Sequence, residues 1–171
     1  NSIINEFIKS GLLFNENISV QTLVNIKSNK KDEVFNEAKL ELRILNGKIS
    51  FDKSVFINNN IGLMEISNSD LFLDNDKLFL SSNLSIDIKN IDNLYSFLNT
   101  NKNSRKNIRN IKLNIIYDFL SNQIELKNIK INDNDVSSQF NNIAEGFIDI
   151  NSNNLTKSRK LLNELINLYD G

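Results

Sequence analysis

The sequence contains no cysteine, histidine, proline or tryptophan, and only five glycines. Without cysteine there are no disulfides, thiolate metal sites or cysteine nucleophiles, a silence that fits either redox compartment. Without histidine, serine–histidine catalysis and the usual zinc sites are excluded. No glycine-rich phosphate loop is present. Charge is balanced as well: 20 basic against 21 acidic residues leave a net −1. The chain therefore has no global field to draw in nucleic acid or an acidic partner. No run of about 18 apolar residues exists to span a membrane, and no basic start followed by an apolar centre marks a signal peptide. The first residue is Asn rather than Met, so the expectation is a fragment or a processed chain whose anchor or export signal lay upstream.

Asn, Ile and Lys are abundant, and roughly one residue in five is Asn. These residues share AT-rich codons, so genome bias weakens any argument from a single one of them. The 171 residues suffice for a single domain with a real core.

Alternation dominates the pattern. In the stretch LRILNGKISF, Asn46-Gly47 separates two runs of alternating apolar and polar residues, the strongest short-range signal for a tight hairpin. A two-residue loop pairs Leu45 with Lys48, Ile44 with Ile49 and Leu42 with Phe51. Arg43 then faces Ser50, and Glu41 faces Asp52, on a wet side. Lys53 breaks the alternation, so a bulge or strand end is expected there. Leu71 and Leu73 lead into a second hairpin through a four-residue loop, Asp74-Asn75-Asp76-Lys77, with Leu73 against Leu78 and Leu71 against Leu80. The return strand continues through Leu84, Ile86 and Ile88. Residues 111–119 alternate again and turn at Ser121-Asn122 into Ile124 and Leu126, while Ile129 and Ile131 resume out of phase, implying a bulge near Asn128. Residues 18–26 suggest a strand with an irregular middle, 3–14 a strand or short helix entering the domain, and 29–33 a charged loop.

Two segments carry helical spacing. Ile91, Leu94, Tyr95 and Leu98 fit one helix face, over about 91–99, with Asn90 or Asp92 as cap. Leu161, Leu162, Leu165, Ile166 and Tyr169 give a broad apolar face to a terminal amphipathic helix over about 155–169, which Asp170-Gly171 would end. The fold class is therefore mainly β: one β-rich α+β domain over 1–171, of serial antiparallel hairpins with a short inserted helix and a C-terminal helix.

The chemistry-bearing constellations are few. Asp74-Asn75-Asp76 and Asp133-Asn134-Asp135 lack the Gly and distant Glu of a calcium loop and read as turns. Sequons at Asn17, Asn83 and Asn154 carry no weight in so Asn-rich a chain. Lys102, Arg105, Lys106, Arg109 and Lys112 form a local basic cluster, read either as a solvated loop or as a contact for phosphate. With no aromatic residues interleaved to stack bases, nucleic acid is not the expected partner. None of the 21 acidic residues stands in a motif that fixes a catalytic role. The reading is non-catalytic, without cofactor or metal. A sheet apolar on one face must cover that face, and either a closed core or an acyl-lined groove would do so.

The order of these segments resembles the C-terminal periplasmic region of AsmA-like (AsmA/TamB-type) proteins of Gram-negative bacteria. The likeness runs from about Leu40 to Tyr169 and rests on LNGKISFDKSVFINNNIGLMEISNSDLFLDNDKLFLSSNLSIDI, NIDNLYSFL, the basic hairpin SRKNIRNIKLNIIYDFLSNQIELKNIKIND and the ending LTKSRKLLNELINLYDG. The resemblance implies a long curved antiparallel sheet with a hydrophobic inner groove and a role in outer-membrane biogenesis and phospholipid transport. It implies a periplasmic location, with a tether to the inner membrane through an N-terminal segment outside this chain. Phospholipid or its acyl chains would then be the partner. The candidate lipid-facing residues are Leu40, Leu42, Ile44, Ile49, Phe51, Leu71, Leu73, Leu80, Leu84, Ile86, Leu113 and Ile115, with the basic cluster at the headgroups. The rival is a closed β-rich scaffold or protein-interaction domain with no lipid ligand.

Overall fold

The computed structural model describes residues 10–28, 34–121, 123–138, 155–167 and 169. Its strands are β1 (Ser19–Lys27), β2 (Glu37–Leu45), β3 (Lys48–Ser50), β4 (Val55–Asn58), β5 (Gly62–Asp74), β6 (Lys77–Ile88), β7 (Asn110–Asp118), β8 (Gln123–Ile131) and β9 (Asn134–Asp135). Helix α1 (Ile91–Leu98) joins β6 to β7, and α2 (Leu155–Asn167) follows the strands. All nine strands form one antiparallel sheet, in the order β1-β2-β3-β5-β6-β7-β8-β9, with β4 pairing β2 and β5. The nine strands take 70 of the 137 described residues, about twice the ordinary share. The protein is mainly β, as its alternation predicts.

Local chemistry sets the connections. Three hairpins close on two left-handed residues each: Asn46 and Gly47, Asn75 and Asp76, Asn132 and Asp133. Such turns need φ > 0 twice, which Gly, Asn and Asp supply at least cost. The expected pairs Leu45↔Lys48, Ile44↔Ile49, Leu73↔Leu78 and Leu71↔Leu80 all form. The second loop is tighter than predicted, because Asp74 and Lys77 also pair. The Asn90 side chain accepts the Asn93 N–H at 3.0 Å and caps α1, while Asn99 ends the helix in the left-handed region. Gly62 admits a close approach: a Cβ there would sit 2.0 Å from the Asp87 carbonyl oxygen.

Other expectations need correction. β1 pairs with β2 through nine consecutive residues, so its middle is regular. Leu23 breaks the apolar alternation only because it lies on the opposite face. β3 ends at Ser50, two residues before the pairing Leu42↔Phe51 and Glu41↔Asp52 could complete. Residues 51–54 leave the ladder, with Lys53 at φ +67°. Residues 12–14 form a 3-10 turn, while 3–9, 29–33, Asn122 and the terminal Asp170-Gly171 lie outside the described residues.

Two apolar clusters sit at opposite ends of one sheet face. Ile44, Ile49, Leu71 and Leu78 are buried beneath Phe14 and Ile18. At the other end, Ile111, Ile129 and Ile131 pack with Tyr95, Leu98, Leu165 and Ile166 of the helices. Asn163 fastens α2 to α1 by donating to the Leu98 carbonyl at 2.8 Å.

Candidate functional site

One face of the sheet is the candidate site, and register alone assembles it. Across β5, β6 and β7, the pairs Leu71↔Leu80, Ile66↔Leu84, Leu84↔Leu113 and Ile86↔Ile111 keep apolar side chains on the same side. β2 adds Leu40 and Leu42, paired to Val24 and Thr22, and β8 adds Ile124 and Leu126, paired to Tyr117 and Ile115. The opposite side carries Asn83, Ser85, Asp87, Lys112 and Asn114.

Bulges keep this face in phase. The ladder slips between Ser67 and Asp70 on β5, where Asn68 has φ +48°, and beside Asn128 on β8, with φ +50°. One extra residue moves every later side chain to the other face. Because of it Ile129 and Ile131, out of phase with Leu126 in sequence, are buried at 1% and 0% exposure.

A polar node holds the β3–β5 junction. The Ser69 N–H donates to Asp52 Oδ1 at 2.6 Å, and the Ser69 hydroxyl donates to the same oxygen at 2.8 Å. The Phe51 N–H in turn donates to Ser69 Oγ at 2.7 Å. Burial alone would push the Asp52 carboxyl up. The hydrogen bonds from Ser69 and Ser50 and the nearby Arg43 charge outweigh it and hold the carboxyl below its ordinary value of 3.8. Ser54, fully buried, satisfies the gap in the β2 ladder by accepting the Glu41 N–H at 3.0 Å. Ser82, by contrast, faces the apolar stripe from β6 and is buried with its Oγ unpartnered.

The twelve sequence-predicted residues share this one face, but their surroundings differ. Ile44, Ile49 and Leu71 are buried, with Leu42, Phe51 and Leu80 packed around them. Ile86 and Leu113 pack against the helix-end cluster. Leu40, Leu73, Leu84 and Ile115 belong to neither cluster and stay half-buried or exposed. Sequence reasoning missed Phe56, Met64 and Ile66, which continue the stripe between β2 and β6. Their signal was obscured because Val55, Phe56 and Ile57 run together without alternation.

Where the stripe passes under the helices it deepens into an apolar cleft of about 110 Å³, lined by Phe35, Met64, Ile86, Leu94, Phe97 and Leu162 among others. That is below the roughly 300 Å³ of pockets that enclose a whole small ligand, so it can seat the end of a chain and no more.

The basic residues have different surroundings. Lys112 Nζ pairs with Asp133 Oδ1 at 2.8 Å on the polar face. This contact raises the lysine and lowers the carboxyl relative to their ordinary values. The Arg105 guanidinium lies 5.4 Å from the Tyr95 ring centre. The Lys106 N–H donates to the Tyr95 hydroxyl oxygen at 2.6 Å, and Lys102 and Arg109 are exposed on the loop between α1 and β7. A shallow hollow of about 560 Å³ on the polar face is lined by Ser67, Asn83, Ser85, Asn114 and Lys130 among others, groups that water satisfies equally well. Among the described residues no helix is long and apolar enough to cross a membrane. Comparison of the chain with family models, with curated proteins and with solved structures finds no match.

Proposed function

We propose that the protein binds the acyl chains of phospholipid along its apolar sheet face, as a non-catalytic, AsmA-like segment of a bacterial envelope protein. One observation carries the reading: an apolar stripe crosses the sheet from β1 to β8, and among the described residues its buried apolar clusters lie at its two ends. Between them Leu40, Leu84 and Ile115 are half-buried and available to a chain lying on the sheet. Each methylene seated there gains about 0.8 kcal/mol. Equivalent sites along the stripe exchange a chain with little net change, which suits carriage rather than storage. The cleft beneath α1 and α2 takes the chain terminus. On this reading the protein works in the periplasm, held to the inner membrane by a segment outside this chain.

The test is lipid extraction from the purified protein followed by mass spectrometry. Phospholipid should co-purify, and Leu84→Asp or Ile115→Asp should abolish it with the far-UV circular dichroism unchanged. Ile116→Asp, on the opposite face, should retain it. A purified wild-type protein that carries no phospholipid and binds no fluorescent fatty acid refutes the reading.

A further inference from the structure

β1 is the outer strand of the sheet, and all nine of its residues are exposed. Register with β2 sets Val20, Val24 and Ile26 on the apolar face and Leu23, at 62% exposure, on the other. Backbone parity fixes which groups point outward. The Ser28 N–H donates to the Asn36 carbonyl at 2.7 Å, so the hydrogen-bonded pairs of the ladder recur at Ile26↔Ala38, Val24↔Leu40, Thr22↔Leu42 and Val20↔Ile44. Antiparallel pairs alternate in type. The N–H and C=O of Ser19, Gln21, Leu23, Asn25 and Lys27 therefore point away from β2.

The far edge of the sheet is defended and this one is not. β8 carries Glu125, Lys127 and Lys130, a bulge at Asn128 and the short cover of β9. β1 has no bulge, no proline and one charge, Lys27, at its end. Sheets in monomeric proteins blunt free edges with such devices, and a long, flat, uncharged edge is a template for another strand.

We propose that β1 pairs antiparallel with β1 of a second copy, about a two-fold axis through Leu23, so that the sheet runs continuously through a homodimer. The strand is self-complementary in that register. Val20 meets the second copy's Ile26 and Thr22 meets Val24 on the apolar face. On the other face Leu23 meets Leu23, Gln21 meets Asn25 and Ser19 meets Lys27, and no two charges oppose. Leu23, with both backbone groups outward, exchanges two hydrogen bonds with its counterpart. Moving the axis to Thr22 or Val24 sets Leu23 against an amide side chain and leaves residues unpaired at the ends. Only the Leu23 register uses the whole strand. The inference rests on the strand edge and is independent of lipid binding.

An edge contact of this length lies at the small end of specific interfaces, below about 1,200 Å², so the dimer dissociates on dilution. Sedimentation velocity of the purified chain up to about 100 μM should show its mass rise from 19.6 kDa towards twice that value. Leu23→Pro removes only an outward N–H and is tolerated on an edge strand, so it should keep the fold and lose the association. The chain has no cysteine, which allows a register test. Under oxidation Leu23→Cys should give a disulfide-linked dimer, because facing residues lie about 5.5 Å apart between Cα atoms, within disulfide reach. Asn25→Cys should not, since the two copies of residue 25 are then roughly 13 Å apart along the strands. A monomer at every concentration, a Leu23→Pro variant that still associates, or equal cross-linking at both positions overturns the proposal.

Discussion

Replacing Asp52 by Ala should expose how much of the β3–β5 junction depends on one carboxylate. Asp52 Oδ1 accepts both the Ser69 N–H and the Ser69 hydroxyl, and Ser69 is only 7% exposed. Without the carboxylate the hydroxyl can turn to Ser50 Oγ, 3.2 Å away, but the N–H has no second acceptor among these groups. Leaving a buried donor unmet costs about 1–3 kcal/mol, so the expected loss is about 2 kcal/mol at neutral pH. In a chain of this length that lowers Tm by roughly 4–8 °C. The same contact predicts a pH signature. The carboxyl is held below 3.8 in the folded protein, so its stabilisation is complete above that value and is lost as pH falls through the lower folded value. Urea titrations of wild type and variant, followed by circular dichroism, should therefore differ near neutrality and converge in the acid range below 3.8. A difference under about 0.5 kcal/mol at neutral pH, the scatter of ordinary surface changes, refutes the reasoning. So does a difference that persists unchanged into acid.

Two further perturbations probe the apolar face. Ser82→Ala removes a buried hydroxyl with no partner. It should leave stability unchanged or raise it by up to about 1 kcal/mol, read as an upward shift of the urea midpoint. Deleting Asn128 removes the extra residue, so that Ile124, Leu126, Ile129 and Ile131 alternate without a bulge and both buried isoleucines stay on the apolar face. The loss in the same titration should therefore stay well below the roughly 3–6 kcal/mol that turning two fully buried isoleucines outward would cost at about 1.5–3 kcal/mol each, and a loss of that size refutes the register.

Much of this sheet was legible because its turns announce themselves. Asn46-Gly47 fixes a register that the flanking alternation then repeats, and the Asx runs at 74–76 and 133–135 mark turns, although neither the two-residue length of the first loop nor the short return strand β9 after the second was legible in them. The Asn128 bulge was legible for the same reason, as a loss of phase between Leu126 and Ile129. What stayed hidden depends on contacts distant in sequence. No local pattern links Asp52 to Ser69, yet their hydrogen bonds end β3 early and leave β4 to resume the strand. β4 and the first half of β5 escaped notice because Val55, Phe56 and Ile57 do not alternate. The face itself could be read, but not which of its residues are packed, since that depends on where the helices lie. A partial signal existed: α1 is inserted between β6 and β7, so Ile86 and Ile111 beside its connections were the natural residues to be covered.

The placement of the basic residues makes a prediction about how such a face would choose its lipid. A headgroup site for phosphate needs several cations converging on one point beside the acyl stripe. Here Lys112 projects from the polar face and is engaged by Asp133, while Arg105 lies over Tyr95. Lys102 and Arg109 remain exposed in solvent, where salt screens an isolated charge within about 10 Å at ordinary ionic strength. Selectivity would then come from acyl length and saturation, which the stripe and cleft meet directly, and not from headgroup charge. Fluorescent analogues with one acyl chain and either a zwitterionic or an anionic headgroup should bind with affinities within about threefold of each other, less than 1 kcal/mol. Adding salt should change neither. A strong preference for the anionic analogue that disappears with salt, and is lost on Arg105→Ala together with Arg109→Ala, would refute this account and restore the basic loop as a headgroup site.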